Sequence, residues 1–246
     1  MGLRNIKLTI SYDGLDYSGW QRQPGKRTIQ GEIERALGEL TGRFIEVKGA
    51  SRTDAGVSAA GQVANFLIDS PIPTENFVKA LNDRLGRAIV VADAAEVERD
   101  FDASSDAKSK LYRYKIFTGR RRNALETRNC WHRGRKLDAA AMQKAAGELI
   151  GRHDFKSFAA AADKRDSSVR TITQCTVRQE GKWVYIEVEA DRFLYNMVRN
   201  IVGTLVEVGR GRWGLEKIRE IMEARDRTAA GPTAPAEGLC LVRVEY

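Results

Sequence analysis

Residues 28–68 read TIQGEIERALGELTGRFIEVKGASRTDAGVSAAGQVANFLI, which is one helical pattern followed by two strand patterns. Thr28 can cap a helix that ends at Gly42, because its hydroxyl can accept a bond from the first turn and glycine lets the chain leave the helix. Strands are predicted at residues 44–47 and 62–68. The helix carries its apolar side chains on one face, at Ile29, Ile33, Leu37 and Leu40.

The sequence on either side of this stretch completes a unit of strands and helices. Residues 6–12 alternate apolar and polar side chains as a strand does, and residues 89–97 form another candidate strand. Thr74 follows two prolines and can cap a helix that ends near Gly86. That helix turns four side chains inward: Phe77, Val78, Leu81 and Leu85. The order is therefore β-α-β-β-α-β, the ferredoxin-like arrangement.

The second half repeats this order with additions. Its candidate elements are a strand at 111–117, a helix from Asp138 to Gly151, strands at 171–178 and 183–190, helices from about Phe193 and at 215–224, and a strand at 239–245. We predict an α+β fold of two ferredoxin-like halves, residues 1–103 and 104–246. Their antiparallel or mixed sheets are expected side by side, with an active-site cleft between the halves. Residues 13–25 and 151–170 are predicted loops.

Composition excludes several classes of protein. Hydrophobic residues make up 42% and charged residues 30% of the 246, as in soluble globular proteins. No segment approaches the roughly 20 apolar residues of a membrane span, and no signal-peptide pattern opens the chain, so we expect a cytoplasmic protein without a membrane partner. Three cysteines without close spacing and only two histidines argue against a disulfide framework or a metal site.

The charge pattern favours a polyanionic partner. The net charge is +8, and residues 108–136 hold eleven Lys or Arg and one acid, Glu126. Aromatic rings are interleaved with these cations: Tyr112, Tyr114, Phe117, Trp131 and His132. Cations for phosphates and rings for bases are typical of a protein that binds looped RNA. The alternative is a solvated strand and loop with core aromatics, and this segment alone does not decide between the two.

The segment 49–57 is the strongest candidate for chemistry. Arg52, Thr53 and Asp54 stand between small residues in a tight turn after one strand and before another, which leaves the carboxylate accessible. Taken alone, such an aspartate more often bonds its own backbone in a plain turn.

The wider pattern resembles the tRNA pseudouridine synthase A (TruA) family. The turn motif of that family is Arg52-Thr53-Asp54-Ala55-Gly56-Val57. Five other segments are similar to family motifs in family order: residues 12–21 with 28–30, 110–114, 153–158, 193–203, and 233–239. Because six ordered matches span nearly the whole chain, the sequence is identified as a member of this family.

The resemblance implies an isomerase that converts uridine to pseudouridine at positions 38, 39 and 40 of the tRNA anticodon stem-loop. It implies tRNA as partner, a homodimer, and no cofactor or metal. Asp54 matches the catalytic aspartate, which acts as a nucleophile or stabilises positive charge on the sugar. Tyr112 matches the active-site tyrosine and Arg199 the arginine that pairs with the aspartate, and both are expected to bind substrate. Arg52 matches an arginine that holds the flipped-out nucleotide.

Several positions depart from the family pattern. Ser58 stands where the family usually has histidine, Tyr195 and Asn196 stand where it commonly has two, and residues 102–105 replace a His-Ala-Arg-Phe segment. These departures motivate one alternative, a catalytically weakened RNA-binding protein or tRNA chaperone. A second alternative is a glycosidase or nucleosidase acting on small molecules, but such enzymes usually show a spaced pair of carboxylates.

Overall fold

In the computed structural model, which describes residues 2–124 and 127–246, contacts divide the chain into two units. Unit 1 comprises the residues up to Lys108 together with Cys240–Tyr246, and unit 2 comprises Ser109–Leu239. Glu126, the one acid of the basic run, lies outside the described residues. None of the helices in the described residues is long and apolar enough to cross a membrane.

The first part of the chain has the predicted order β-α-β-β-α-β. Its elements are β1 (Arg4–Tyr12), α1 (Ile29–Thr41), β2 (Lys48–Gly49), β3 (Ser58–Ile68), α2 (Asn76–Asn82) and β4 (Ile89–Val97). Thr28 caps α1 by accepting a hydrogen bond from Gly31 N, and Gly42 ends it at φ +71°. The α+β fold and this order of elements are confirmed.

The second part adds short strands to the same order. Its elements are β5 (Ser109–Phe117), β6 (Trp131–His132), α3 (Ala139–Gly147), β7 (Gly151–Asp154), β8 (Val169–Glu180), β9 (Trp183–Ala190), α4 (Met197–Gly209), α5 (Glu216–Ala224) and β10 (Leu239–Glu245). The main elements β5, α3, β8, β9 and α4 repeat β-α-β-β-α. The sequence pattern missed β6 and β7, which are two and four residues long.

The sheet of unit 1 is built around β1, which pairs antiparallel with β3 on one side and β4 on the other. Ile6, Leu8 and Ile10 alternate along β1 and are fully buried. The rings of Phe66 on β3 and Phe77 on α2 meet edge to face at 5.6 Å, which packs the helix onto the sheet. Each such buried aromatic contributes about 1.5–3 kcal/mol to stability.

The last strand of the chain also belongs to unit 1. β10 runs parallel to β3, with Cys240 opposite Ser58 and Leu241 opposite Ala59. The Tyr246 hydroxyl donates to Ala103 O at 2.7 Å, and its ring lies 5.0 Å from that of Phe101. The chain end is therefore fixed against the segment that precedes β5.

The strands of unit 2 have the order β5-β9-β8-β7 with antiparallel neighbours, and the short β6 pairs parallel with β5. Helix α3 packs on β8 and on α4. Twelve of the thirteen residues of α4 are buried, Arg199 being the exception.

Cys130, Cys175 and Cys240 are free thiols, and burial raises the pKa of Cys175 to about 12.

Two predicted elements of unit 1 are wrong in detail. Residues 44–47 form no strand, because side chains and not a neighbouring strand bond the backbone of Val47: Glu34 Oε1 accepts from its N–H and Gln30 Nε2 donates to its carbonyl. Thr74 does not cap α2, which begins at Asn76 without a side-chain cap. The Thr74 hydroxyl instead accepts from Arg4 Nη2 at 2.5 Å.

Two predicted bounds in unit 2 also change. Helix α4 begins at Met197 and not near Phe193, because Asn196 has a φ of +59°, which a right-handed helix cannot accommodate. Helix α3 ends at Gly147, and Gly151, predicted to end it, starts β7 at φ +114°. Part of the predicted loop 151–170 is thus a strand that pairs with β8.

Candidate active site

Asp54 stands at the start of a tight turn in unit 1. Val57 N donates to Asp54 O at 3.1 Å, and Gly56 occupies the third position at φ +80°. A type II turn requires such a φ at that position, and glycine adopts it without strain. Asp54 is half-buried, between buried Thr53 and exposed Ala55.

The residue before Asp54 anchors the turn in the protein interior. Thr53 is 6% exposed, and its hydroxyl lies 2.8 Å from the hydroxyl of Tyr12. Its carbonyl accepts a hydrogen bond from Trp20 N at 2.9 Å. Arg52, on the other side of Thr53, is exposed. Thr53 is thus held inward, while Arg52 and Asp54 on either side of it keep access to solvent.

A buried glutamine fixes the start of the same segment. Gln62 is fully buried on β3, accepts from Ser51 N at 3.1 Å and donates to Ser51 O at 2.7 Å. The same Nε2 donates to the Tyr12 hydroxyl at 3.3 Å. Sequence reasoning assigned Gln62 only to a strand. The sign of this role in the sequence is that a polar residue, Gln62, opens the mostly apolar pattern of residues 62–68.

The predicted loop 13–25 packs directly against the turn. Gly19 has a φ of +90°, and a Cβ there would lie 2.7 Å from Thr53 O and 3.1 Å from Ala55 N. Tyr17 O accepts from Gly56 N at 3.3 Å. Because a side chain at Gly19 has no room, the loop and the backbone at Asp54 position each other.

One departure from the family pattern has a structural role in this packing. Ser58 is 8% exposed, and its hydroxyl accepts a hydrogen bond from Gly14 N at 3.1 Å. It therefore ties the loop 13–25 to the start of β3, immediately after the Asp54 turn.

Tyr112 lies on β5 of unit 2, where it is 6% exposed. Its ring meets that of Phe193 edge to face at 5.0 Å and 84°. Lys110 lies two residues earlier and therefore on the same face of the strand. Burial, together with the charges of Arg192 and Arg165, lowers the pKa of Lys110 to about 8. The charges of Arg192 and Arg165 thus act on the side of β5 that carries Tyr112.

Arg199 lies in the first turn of α4, and contacts within unit 2 fix its direction. Its Nε donates to Ala234 O at 2.8 Å and its Nη1 donates to Asn196 Oδ1 at 2.9 Å. Ala234 N in turn donates to Arg199 O at 3.1 Å. Tyr114 supports the next residue of that segment by donating to Pro235 O at 2.7 Å. Asn196, a departure from the family pattern, thus acts as an acceptor for the guanidinium.

Asn200 is a further residue whose importance the sequence did not indicate. It is fully buried in α4, and its Nδ2 donates to Phe158 O at 2.8 Å. Its Oδ1 accepts from Arg227 Nη2 at 3.0 Å and from the Thr233 hydroxyl at 2.7 Å. The Asn200 amide therefore connects α4 with the segments 153–158 and 233–239, which the sequence presents as separate motifs.

The aromatic rings of the basic run are mostly structural. Tyr114 is fully buried and Phe117 is 6% exposed, so the prediction of core aromatics holds for both. Burial raises the pKa of Tyr114 well above its usual range, with a smaller contribution from Glu237. Trp131 and His132 are half-buried, and His132 Nε2 lies 2.8 Å from Gly119 O.

The predicted site residues divide between the units. Arg52 and Asp54 lie in unit 1, and Tyr112 and Arg199 lie in unit 2. Within the described residues, no group of three or more His, Cys, Asp or Glu side chains could hold a metal ion.

A family model described as tRNA pseudouridine synthase matches residues 8–104 and 145–246. The tRNA pseudouridine synthase A of Acetivibrio thermocellus is 49% identical over 99% of this chain and 100% of its own length. That of Moorella thermoacetica is 49% identical over 98% of this chain and 99% of its own. Among solved structures, a chain of a Cbf5-Nop10-Gar1 complex is similar at 12% identity and a TM-score of 0.39, over 96% of this chain and 57% of that chain.

Proposed function

Because this chain belongs to the tRNA pseudouridine synthase family, we propose that Asp54 is the catalytic carboxylate with which it converts uridine in tRNA to pseudouridine. One observation carries this assignment. Asp54 is half-buried on a turn whose neighbouring Thr53 is bonded on both sides, to Tyr12 and to Trp20. A carboxylate on a fixed backbone can hold the orientation that attack on a sugar carbon requires.

The reaction needs one carboxylate and no redox step. The C1′–N1 bond of uridine breaks, the uracil turns, and C5 bonds to C1′. The proton on C5 then goes to solvent, and N1 gains a proton. Asp54 acts at C1′, either as a nucleophile or by stabilising positive charge on the sugar.

Tyr112, Arg199 and Arg52 take supporting roles in this proposal. The Tyr112 ring is positioned by Phe193 to stack on the displaced uracil. Arg199 is the arginine partner of the catalytic carboxylate, and its hydrogen bonds to Ala234 and Asn196 hold its guanidinium in one direction. Exposed Arg52 contacts the phosphate or sugar of the flipped-out nucleotide, which offsets the few kcal/mol that flipping costs.

We further propose uridines 38 to 40 of the anticodon stem-loop as targets, and a cytoplasmic homodimer as the working form. Six family-like segments in family order support these finer assignments. Light scattering of the purified chain tests the dimer, for which a mass near 55 kDa, twice the 27.5 kDa of the chain, is expected.

Pseudouridine mapping on an unmodified tRNA transcript tests both the activity and its target. We expect carbodiimide adducts that stop reverse transcription at one or more of positions 38–40 after incubation with the wild type, and none with Asp54→Asn. Modification by both proteins would refute the role of Asp54. Modification only outside the anticodon stem-loop would refute the proposed target and leave the activity intact.

A further inference from the structure

A cluster of arginines in unit 2 is not used by the proposed chemistry. Glu207, near the end of α4, is 5% exposed and accepts hydrogen bonds from Arg210 Nη1 at 2.8 Å and Arg212 Nη1 at 3.1 Å. Arg133, which follows β6, interacts electrostatically with both arginines and with Arg135. Three of these arginines interact with the Glu207 carboxylate, and Arg135 adds a fourth positive charge beside Arg133.

Arg133 is the unusual member of this cluster. Its guanidinium lies over the Trp131 ring, with 5.0 Å between Cζ and the ring centroid. Its Nε is buried and has no hydrogen-bond partner among the described residues. Burial, then the charge of Arg210, lowers the pKa of Arg133, although Glu207 acts in the opposite direction. A buried cationic donor without an acceptor destabilises a protein, so its presence calls for a reason.

Helix capping explains only part of the arrangement. Cations near the last turn of α4 stabilise the partial negative charge of the helix end, and Glu207 satisfies Arg210 and Arg212. Arg133 lies on another segment, fixed by a hydrogen bond from its own N to Phe117 O at 2.9 Å. Its unpaired Nε contributes nothing to the end of the helix.

We propose that Arg133, together with Arg210 and Arg212, binds a backbone phosphate of the tRNA outside the reacting nucleotide, an inference that rests on the proposed function. A guanidinium binds phosphate through two parallel N–H···O bonds, and stacking on Trp131 holds Arg133 ready for this. A phosphate held by the accessible N–H groups of these arginines would offset the excess positive charge of the cluster.

The position of the cluster separates it from the catalytic side chains of unit 2. Phe117, which bonds Arg133, is five residues along β5 from Tyr112, or about 16 Å at the rise of a strand. Arg210 is eleven residues along α4 from Arg199, again about 16 Å. Both elements thus place the cluster beyond the reach of the nucleotide at Tyr112.

This site gives part of the basic run a function. Tyr114 is fully buried and cannot stack on bases, whereas half-buried Arg133 and exposed Arg212 can be reached by the backbone of an RNA. This part of the run then contacts phosphates, and its contribution to binding is independent of sequence.

Salt-dependent binding of an unmodified tRNA transcript tests the proposal. Arg133→Gln should weaken binding about tenfold and lower the slope of log K against log salt by about 0.7–0.9, as for the loss of one phosphate contact. The loss should appear in KM more than in kcat. Arg133→Lys should keep the slope but lose part of the affinity, because lysine cannot bind in bidentate fashion.

Two further variants make the result decisive. Arg212→Gln removes a side chain that is 61% exposed, so it tests the site if Arg133→Gln fails to fold. Arg219→Gln is the matched control, because both of its hydrogen bonds go to Glu148. The thermal midpoint of Arg133→Gln should stay near that of the wild type, because the Nε of Arg133 makes no hydrogen bond that the substitution would remove.

The outcomes separate this inference from the proposed function. If the Arg133 and Arg212 variants bind tRNA with the affinity and salt slope of Arg219→Gln, the phosphate site is refuted, whatever the activity. If binding and slope fall as expected but the wild type forms no pseudouridine, the site stands and the proposed function fails.

Discussion

Gly19 shows how a single residue holds the turn at Asp54 in place. Its φ of +90° and the closeness of Thr53 O and Ala55 N leave no place for a side chain. A family resemblance marks such a glycine as part of a motif without giving the reason. The reason is that the loop 13–25 approaches the backbone on both sides of Asp54.

Gly19→Ala should therefore displace the Asp54 turn. We expect a fall of at least about tenfold in kcat, together with a stability loss of about 1–2 kcal/mol from the left-handed backbone. Gly25→Ala is the control, because Gly25 has a φ of +66° but no atom within 4 Å of its added Cβ. Equal losses of kcat in the two variants would show that backbone strain, and not contact with the turn, is responsible.

Lys110 makes stability depend on pH. Its pKa is lowered from 10.5 to about 8 by burial and by Arg192 and Arg165, so its charged form destabilises the fold. That penalty is fully present below pH 8 and disappears as pH rises from about 8 to 10.5. Between these values the folded protein has lost the Lys110 proton while the unfolded chain still holds it, so stability rises with pH.

Lys110→Met should consequently be more stable than the wild type at pH 7, with a difference that shrinks toward pH 10. Urea unfolding at both pH values measures it. Lys79→Met, which changes a lysine whose side chain is 82% exposed, provides the comparison. A constant difference across this pH range would contradict the argument.

For single residues, the sequence named candidate site residues but not the residues that support them. Resemblance named Asp54, Tyr112 and Arg199, and their roles stay predictions. Gln62 and Asn200 were missed, because their partners are distant in sequence: Gln62 bonds Ser51 and Tyr12, and Asn200 bonds Phe158 and Thr233. No local pattern encodes such pairs.

Among the elements, the start of α4 is the one that orients a predicted site residue, Arg199. Asn196 adopts a left-handed backbone immediately before the helix, and its side chain accepts from Arg199 Nη1. Asparagine tolerates this conformation better than most residues. One residue thus both ends the preceding segment and orients the arginine.

Two substitutions separate these functions of Asn196. Asn196→Ala should lose about 1–2 kcal/mol of stability and also lower kcat, because both the backbone preference and the acceptor are lost. Asn196→Gly should retain stability but still lower kcat. Wild-type turnover by the glycine variant would show that the bond to Arg199 is dispensable.

One strand prediction failed because hydrogen bonds from side chains take the place of those from a neighbouring strand. Residues 44–47 have a strand-like pattern, yet Glu34 and Gln30 bond the backbone of Val47. Helix α1 was predicted correctly at both ends, because Thr28 and Gly42 supply local caps. Elements with local start and stop signals are predictable, and those fixed by distant side chains are not.

For the whole molecule, the element order was predictable but the return of the last strand was not. β10 pairs with β3 although most of the chain lies between the two strands in sequence, and Leu241 is fully buried there. A strand pattern at residues 239–245 indicates that a strand exists and gives no information about its partner.

Leu241→Ala should destabilise unit 1 by about 2–5 kcal/mol, the usual cost of a cavity in a well-packed core. Chemical denaturation measures the loss, and hydrogen exchange assigns it to β1 and β3. Arg243→Ala, at an exposed position of the same strand, should change stability by less than about 0.5 kcal/mol. Similar effects of the two variants would mean that β10 contributes little to the core.

The most direct test of the central claim is tritium release from a tRNA transcript labelled at uracil C5. The wild type and Asp16→Asn, which alters an exposed carboxylate of the loop 13–25, should both release tritium. Asp54→Asn should bind the transcript and release none above background. Release by Asp54→Asn at the wild-type rate would contradict the assignment of Asp54 as the catalytic carboxylate.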